Sequence, residues 1–580
     1  MKQIYIYYKP YLLNMIVIIL LLFLQAMAEL ALPDLMARII DQGVILGNIS
    51  FIFEKGIQMV LLSLLGVFCA AWVGFLASRV GAKVGRDLRN GVFEKVTTFS
   101  NREFDKFSTA SLITRSTNDI QQIQMITIIA LRMVSMAPMM AIGALVRALN
   151  KSPSLSWTIA LALAAVLLVI LVVFSVSLPR FRKVQKLIDK LNLIVNERLS
   201  GVMVIRAFNT QEHERDRFEA SNVDLTKLNL FVHRTMAFMR PMMMFIMSGI
   251  SILIVWVASK SIDMGDMPIG DMLAFIQYTM QVISSFLMLS MVFIMLPRAM
   301  VSVQRIAEVL ATEATILDPE DLGTEEEDFK ANKKGIVEFR NVSFKYPDAE
   351  EYVLKNISFT ARPGEITAFI GSTGSGKSTL VNLIPRFYDA TEGQVLVEGV
   401  NVKKVSQKQL REKIGYIPQK SVLFSGTIET NLRYGDKGAS AEDLDWAIEI
   451  AQAKDFILEK PEALSSAISQ GGSNVSGGQK QRLSIGRALV KKPNIYIFDD
   501  SFSALDFKTD VALRKALKKE VGDSTLLIVA QRINTIKNAE QIVVLDNGNI
   551  AGIGKHDELL ESCHVYREIA MSQLNQEELS

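Results

Sequence analysis

Nine consecutive residues set the chemistry to be explained: Gly371, Ser372, Thr373, Gly374, Ser375, Gly376, Lys377, Ser378 and Thr379, in the pattern G-x-x-x-x-G-K-S. Glycines let backbone N–H groups curl round phosphate oxygens, because a Cβ there would block close approach. Lys377 adds a point charge for outer phosphates, and the Ser378 hydroxyl is an oxygen ligand suited to Mg²⁺. The pattern works only between a strand and a helix. Both are supplied: residues 366–370 are an apolar run, and residues 380–387 have helical spacing, so a helix begins near Lys377 with its positive N-terminal end toward the phosphates.

Further groups with matching chemistry follow along the chain. Tyr346, after the strand-like residues 336–344, offers a ring for an adenine face. Gln419 follows Gly415-Tyr-Ile-Pro418 and is expected to sense Mg²⁺ or the attacking water. The apolar run 495–498 reads as a buried strand ending in Asp499, a place for a metal-holding carboxylate, so Ser378, Gln419 and Asp499 form the expected metal set. Ser476, Gly477, Gly478 and Gln479 offer a second glycine-backbone cradle, opening a helix over 480–489.

The rest of the chain must carry and place these groups. At 580 residues it exceeds one core, and its 50% hydrophobic content is concentrated in long uncharged runs before residue 311. Runs at 11–32, 57–77, 125–149, 155–176, 242–257 and 273–296 predict six membrane spans, preceded by an amphipathic surface segment over 1–10. Lysines and arginines crowd the connections 79–115 and 180–234, which places both, with both termini, in the cytoplasm. Helical spacing persists over 80–99 and 180–208, so the spans are expected to extend beyond the bilayer, with short tip segments at 104–111 and 210–218.

The predicted division is a transmembrane domain over 1–311, a polar acidic linker over 312–334 containing Glu325, Glu326, Glu327 and Asp328, and a nucleotide-binding domain over 335–580. A net charge of +3 gives no reason to expect nucleic acid as a partner. Cys69 and Cys563, the two cysteines, are too few for a disulfide framework and are expected in cores. Glu29 and Arg132 are ionisable residues deep in apolar runs, which marks either a cargo path or a structural pairing. Met243, Met247, Met288 and Met291 belong to a methionine-dense set that suits a cavity repacking around apolar ligands, or plain lipid-facing filler.

Taken together, these residues resemble an ATP-binding cassette (ABC) exporter half over nearly the whole chain. Tyr346 stands at the adenine-stacking position, residues 371–378 match the Walker A motif, Gln419 the Q-loop, residues 476–479 the signature, residues 495–499 Walker B and residues 503–506 the D-loop. The resemblance implies a membrane α-helical domain of six helices fused to an α/β P-loop NTPase domain. It also implies a dimer in which each ATP lies between one subunit's Walker A and the other's signature, with ATP and Mg²⁺ as the ligands.

The chain departs from the family at two catalytic positions. The residue after Asp499, normally glutamate, is Asp500; the switch position, normally histidine, is Gln531; and none of His213, His233, His556 and His564 stands there. Aspartate withdraws its carboxylate by roughly 1.5 Å, one carbon–carbon bond. A misplacement of about 1 Å costs on the order of 10²-fold in rate. Glutamine can carry neither a proton nor positive charge to a γ-phosphate. The expectation is therefore a site that binds ATP and hydrolyses it poorly, in a heterodimer with a second half that has Glu and His at these positions. Export of drug-like amphiphiles through a cell membrane is the leading reading. Peptide, lipid or metabolite cargo stays open, as does an ATP-gated channel or regulatory ATPase.

Overall fold

The computed structural model describes residues 2–319, 329, 333–347 and 349–573, which form two compact units, Met1–Thr97 with Ala110–Thr312 and Thr98–Thr109 with Glu313–Ser580. Among the described residues of the first unit, six helices are long and apolar enough to cross a membrane: Gln3–Val44, Ile49–Thr97, Thr109–Lys151, Pro153–Ser200, Gln211–Asp263 and Ile269–Ser290. The second has 49 residues, about 73 Å at 1.5 Å per residue, whereas a bilayer core is about 30 Å thick. The apolar run fills only its first part, and the arginine- and lysine-rich remainder continues the same helix, as its periodicity predicts. Wider π turns interrupt the helices at Ile39–Val44, Arg115–Asp119 and Ala130–Val134.

Three local segments gain detail, and the bounds of two of them, the tips, are corrected. The opening segment is one helical turn, Lys2–Tyr5, pinned to the bundle: the Tyr8 hydroxyl lies 2.6 Å from Thr127 Oγ1, and Tyr11 donates to Asp87 Oδ2 at 2.6 Å. Tyr8 and Tyr11 thus bond inward, while Tyr5 stays exposed. The first tip helix is Asn101–Phe107, bounded by a Ser100–Glu103 capping box and by Ser108 at a positive φ of 54°. The second tip helix is Val202–Ala207, and residues 211–218 are the first turns of the long helix Gln211–Asp263. Gly201 ends the preceding helix and Asn209 takes φ 54°, so the chain reverses before Thr210.

The second unit is built on a six-stranded sheet in the order 549–554, 541–546, 366–371, 525–529, 495–499, 414–417, in which only the first pairing is antiparallel. Its central strands are apolar on both faces, with Phe369, Ile370, Ile497, Phe498, Leu527 and Ile528 all buried. An antiparallel four-stranded sheet, 354–361, 337–344, 392–397 and 400–401, packs beside it. Cys69 and Cys563 are both buried thiols.

The tip helix Asn101–Phe107 belongs to this second unit. Phe99 and Phe107 are buried with stacked rings 5.9 Å apart, and Tyr388 donates to Asp105 Oδ2 at 3.4 Å. Glu103, 4% exposed, accepts from Ser100 N at 2.8 Å, from Thr315 N at 3.3 Å and from the Thr315 hydroxyl. Ala314 and Ile316 are buried, and Asp318 accepts from Gln407 N at 2.9 Å, so the start of the expected linker is packed; residues 325–328 lie outside the described residues.

Burial pushes the Glu103 carboxyl up, but the Ser100 and Thr315 hydrogen bonds outweigh it and hold the group below the usual carboxylate range. Its contribution is present above the unfolded carboxylate value, about 4.3, and is lost as pH falls through the depressed folded value. Removing one partner from such a buried cluster costs about 1–3 kcal/mol. Glu103→Ala is therefore expected to speed amide hydrogen exchange over residues 100–107 about tenfold or more at neutral pH. Unchanged exchange there would show that the tip is held by its aromatic contacts alone.

Candidate active site

Four neighbouring parallel strands, 414–417, 495–499, 525–529 and 366–371, end on the same edge, and each delivers a site residue just past its C-terminal end. That edge is where open α/β sheets bind ligands. At the end of strand 366–371, a Cβ on Gly371 would lie 2.1 Å from the Leu545 carbonyl oxygen, so no other residue fits. Gly376 caps the helix Lys377–Leu383 with a left-handed φ of 98°. The buried Lys377 Nζ folds over the loop, donating to Gly371 O at 2.9 Å and Ser372 O at 2.7 Å, with Ser375 Oγ at 3.4 Å. Burial lowers its pKa, opposed by Asp500 and Asp499. Thr373 and Gly374 lie exposed at the crest of the loop.

Ser378 donates to Asp499 Oδ1 at 2.8 Å, which brings together the two oxygens expected to hold a metal. Both are hard donors, and they fit Mg²⁺ with phosphate oxygens and water completing its shell. Burial raises the Asp499 pKa. Gln419, the third member of the expected metal set, instead gives its amide to Asp500 Oδ2 at 3.2 Å, leaving its carbonyl oxygen for a metal. Gln531 donates to the same Asp500 oxygen at 2.9 Å. Asp500 takes φ 47°, is 8% exposed, and has its own N–H on Val529 O at 3.1 Å. Burial pushes its pKa up, against the Gln419 hydrogen bond, the Lys377 charge and the Gln531 hydrogen bond. The short carboxylate is thus clasped by two amides on a single oxygen.

Tyr346 places its hydroxyl 3.0 Å from Thr379 Oγ1, and its ring stands edge-on to Phe344 and Tyr388, with centroids 5.0 and 5.4 Å away. Ser476 caps the helix Gly477–Val490: its Oγ accepts from Gln479 N at 3.3 Å, while Gln479 Oε1 accepts from Ser476 N at 3.1 Å. Ser476 and Gly477 are exposed and Gly478 half-buried, so the second cradle is formed and faces outward. Among the described residues, none of its side-chain hydrogen bonds reaches the loop 371–379.

In the membrane unit, Arg132 and Met288 line one cleft with Gln25, whose amide donates to Glu29 Oε1 at 2.8 Å. Met243 is buried and Met247 half-buried on the helix Gln211–Asp263, and neither lines that cleft; the side chain of Met291 lies outside the described residues. Two residues escaped sequence reasoning. Tyr416 reaches Asn382 Oδ1 at 2.9 Å and Asp499 Oδ2 at 3.4 Å, and its place inside the 415–418 run was the signal available. Gln573 bridges the switch backbone, donating to Gln531 O at 2.8 Å and accepting from Ile533 N at 2.9 Å, a contact no local pattern announces.

Comparison with known proteins agrees with this architecture. Residues 15–286 match the ABC transporter transmembrane region, and residues 354–503 match the ABC transporter family. An uncharacterized ABC transporter ATP-binding protein of Mycobacterium tuberculosis is 39% identical over 568 residues, 97% of each chain. YfiB of Bacillus subtilis, also an uncharacterized ABC transporter ATP-binding protein, is 36% identical over 98% of each chain. An ATP-dependent lipid A-core flippase of Pseudomonas aeruginosa is 31% identical over 97% of this chain and 95% of its own. A bacterial Atm1-family ABC exporter with ATP bound superposes with a TM-score of 0.78 over 98% of this chain and 99% of its own, at 24% identity, and so shows the same fold. Membrane region and ATP-binding domain share one polypeptide, and the chain belongs to the ABC transporters and is a transport ATPase.

Proposed function

We propose that this chain is the hydrolysis-poor half of a heterodimeric exporter: its own Walker motifs hold ATP with little turnover, and its signature completes a competent site on a partner half that carries Glu and His. The clasp on Asp500 carries this reading. A carboxylate that orients attacking water must present a free oxygen close to the γ-phosphate. Here the side chain is one carbon short, and the amides of Gln419 and Gln531 converge on one of its oxygens, so that only the other remains for water. The binding parts are intact. The loop 371–379 cradles phosphates, Lys377 leaves its carbonyl partners to meet them, Tyr346 supports adenine, and Ser378 with Asp499 holds Mg²⁺, joined by the Gln419 carbonyl. Ser476 and Gly477 stand exposed, with Gly478 and Gln479 half-buried behind them, ready for the partner's ATP.

The basic connections 79–115 and 180–234 support a cell-membrane orientation with the nucleotide-binding domain and both termini in the cytoplasm. An amphiphilic, drug-like cargo is supported by the methionines and by the lipid named as cargo for the Pseudomonas relative. The test is turnover of the chain alone. Purified without its partner it is expected to hydrolyse ATP well below about 1 per second, the low end of ordinary enzyme rates, and to gain turnover when the partner is added. A lone chain at or above that rate would overturn the reading.

A further inference from the structure

We propose that the Arg132 cleft is a cargo site that selects an anionic headgroup on an apolar body, an assignment that rests on reading the chain as an exporter of amphiphiles. Arg132 lies seven residues into the apolar run 125–149, roughly 10 Å of helix from its nearer end. A charge at such depth is costly, and ordinarily it pairs with an acid or faces a hydrated cavity. Arg132 makes no ion pair among the described residues. Glu29, one helical turn from the cleft-lining Gln25, is not among the cleft's lining residues, and it accepts from the Gln25 amide at 2.8 Å.

Two further features converge on the same place. Arg132 sits within the π turn Ala130–Val134, a local widening of the helix that recurs at functional sites. It also lines a cleft of about 330 Å³ with Leu22, Gln25, Met133, Met136 and Met288, within the range of small-molecule sites, roughly 300–1,000 Å³. The lining is thus one guanidinium and one amide on an otherwise apolar, methionine-rich wall. A planar guanidinium offers paired N–H donors to a carboxylate, phosphate or sulfonate, and flexible thioethers adapt to varied apolar bodies. A cationic amphiphile would meet Arg132 with like charge at low dielectric.

The experiment uses the complex captured through a tag on this chain and placed in lipid nanodiscs, with dansyl-labelled undecanoic acid and its uncharged methyl ester as probes. Fluorescence titration is expected to show the acid binding at least about tenfold tighter than the ester, the gain of one charge-assisted pair. Arg132→Gln should remove that preference by weakening the acid about tenfold and leaving the ester within about twofold, while Arg132→Lys keeps most of it. Equal affinity of acid and ester for the unaltered complex needs no variant, and it would overturn the anion assignment while leaving an amphiphile exporter standing. Equal weakening of both probes in Arg132→Gln would make Arg132 a structural residue and overturn it too. If neither probe bound the unaltered complex or stimulated its ATPase, the amphiphile reading would fall, and this inference with it.

Discussion

Changing Ser476 to arginine in this chain alone is expected to lower ATP turnover of the complex by about a hundredfold or more, while Asp500→Asn in the same chain leaves it within about twofold. Ser476 is exposed, and its Oγ already accepts from Gln479 N, so the hydroxyl proton is free for a phosphate oxygen approaching from another subunit. Arginine there would replace a small donor by a long cation and break the cap, displacing the Gly477 and Gly478 N–H groups that make the cradle. Displacement of about 1 Å costs on the order of 10²-fold. Asp500 is placed oppositely: buried, short and clasped by Gln419 and Gln531, it contributes little to a chemical step, and an amide of nearly the same shape occupies its space. Steady-state ATPase of the co-purified pair separates the cases. Equal losses from the two substitutions would mean that this chain's own site is catalytic.

The nucleotide site was legible because its parts are local. A loop that must approach phosphate needs glycine at fixed offsets, and the strand before it and helix after it are written in adjacent residues; Gly371 and Gly376 stand where a Cβ would collide or strain the backbone. Asp499 was found in the same way, as the polar end of an apolar run. What escaped depends on contacts between segments far apart in sequence. Nothing near Gln573 announces that its amide grips the backbone of Gln531 and Ile533 from 42 and 40 residues away. Likewise the substitutions at 500 and 531 were visible as departures from a pattern, but not that they meet, since the two side chains approach only when strands 495–499 and 525–529 lie side by side. In the membrane unit, apolar length alone marked six candidate spans, since about 20 apolar residues in a helix match the thickness of a bilayer core. The tips were misplaced at Val202–Ala207 because helical spacing runs through Gly201 and Asn209, where the turn lies in one backbone conformation and not in the side-chain pattern.

The contact between Asp500 and Gln531 sets the terms on which hydrolysis could be restored. Asp500→Glu alone is expected to raise turnover of the isolated chain only a few fold, and Gln531→His alone not at all. Both together should raise it about a hundredfold. A glutamate at 500 extends the carboxylate toward the phosphate, but the Gln531 amide, 2.9 Å from the present carboxylate, remains within reach and competes with water for one of its oxygens. A histidine at 531 removes that amide and adds a group able to donate to the γ-phosphate, yet with aspartate at 500 the carboxylate stays too short to meet the water. General acid–base groups contribute typically 10²–10⁴-fold when correctly placed, and a pair acting as a unit is strongly non-additive. The imidazole adds a further mark: turnover gained through it should titrate between roughly pH 6 and 7.5, because histidine ionises near 6.5, while glutamine has no charge to change. Full recovery with Asp500→Glu alone would show that carboxylate length was the whole defect and that the Gln531 contact has no bearing on turnover. No recovery even in the double variant would place the block outside these two residues, with the Gln419 amide, 3.2 Å from the same oxygen, as the next group to change.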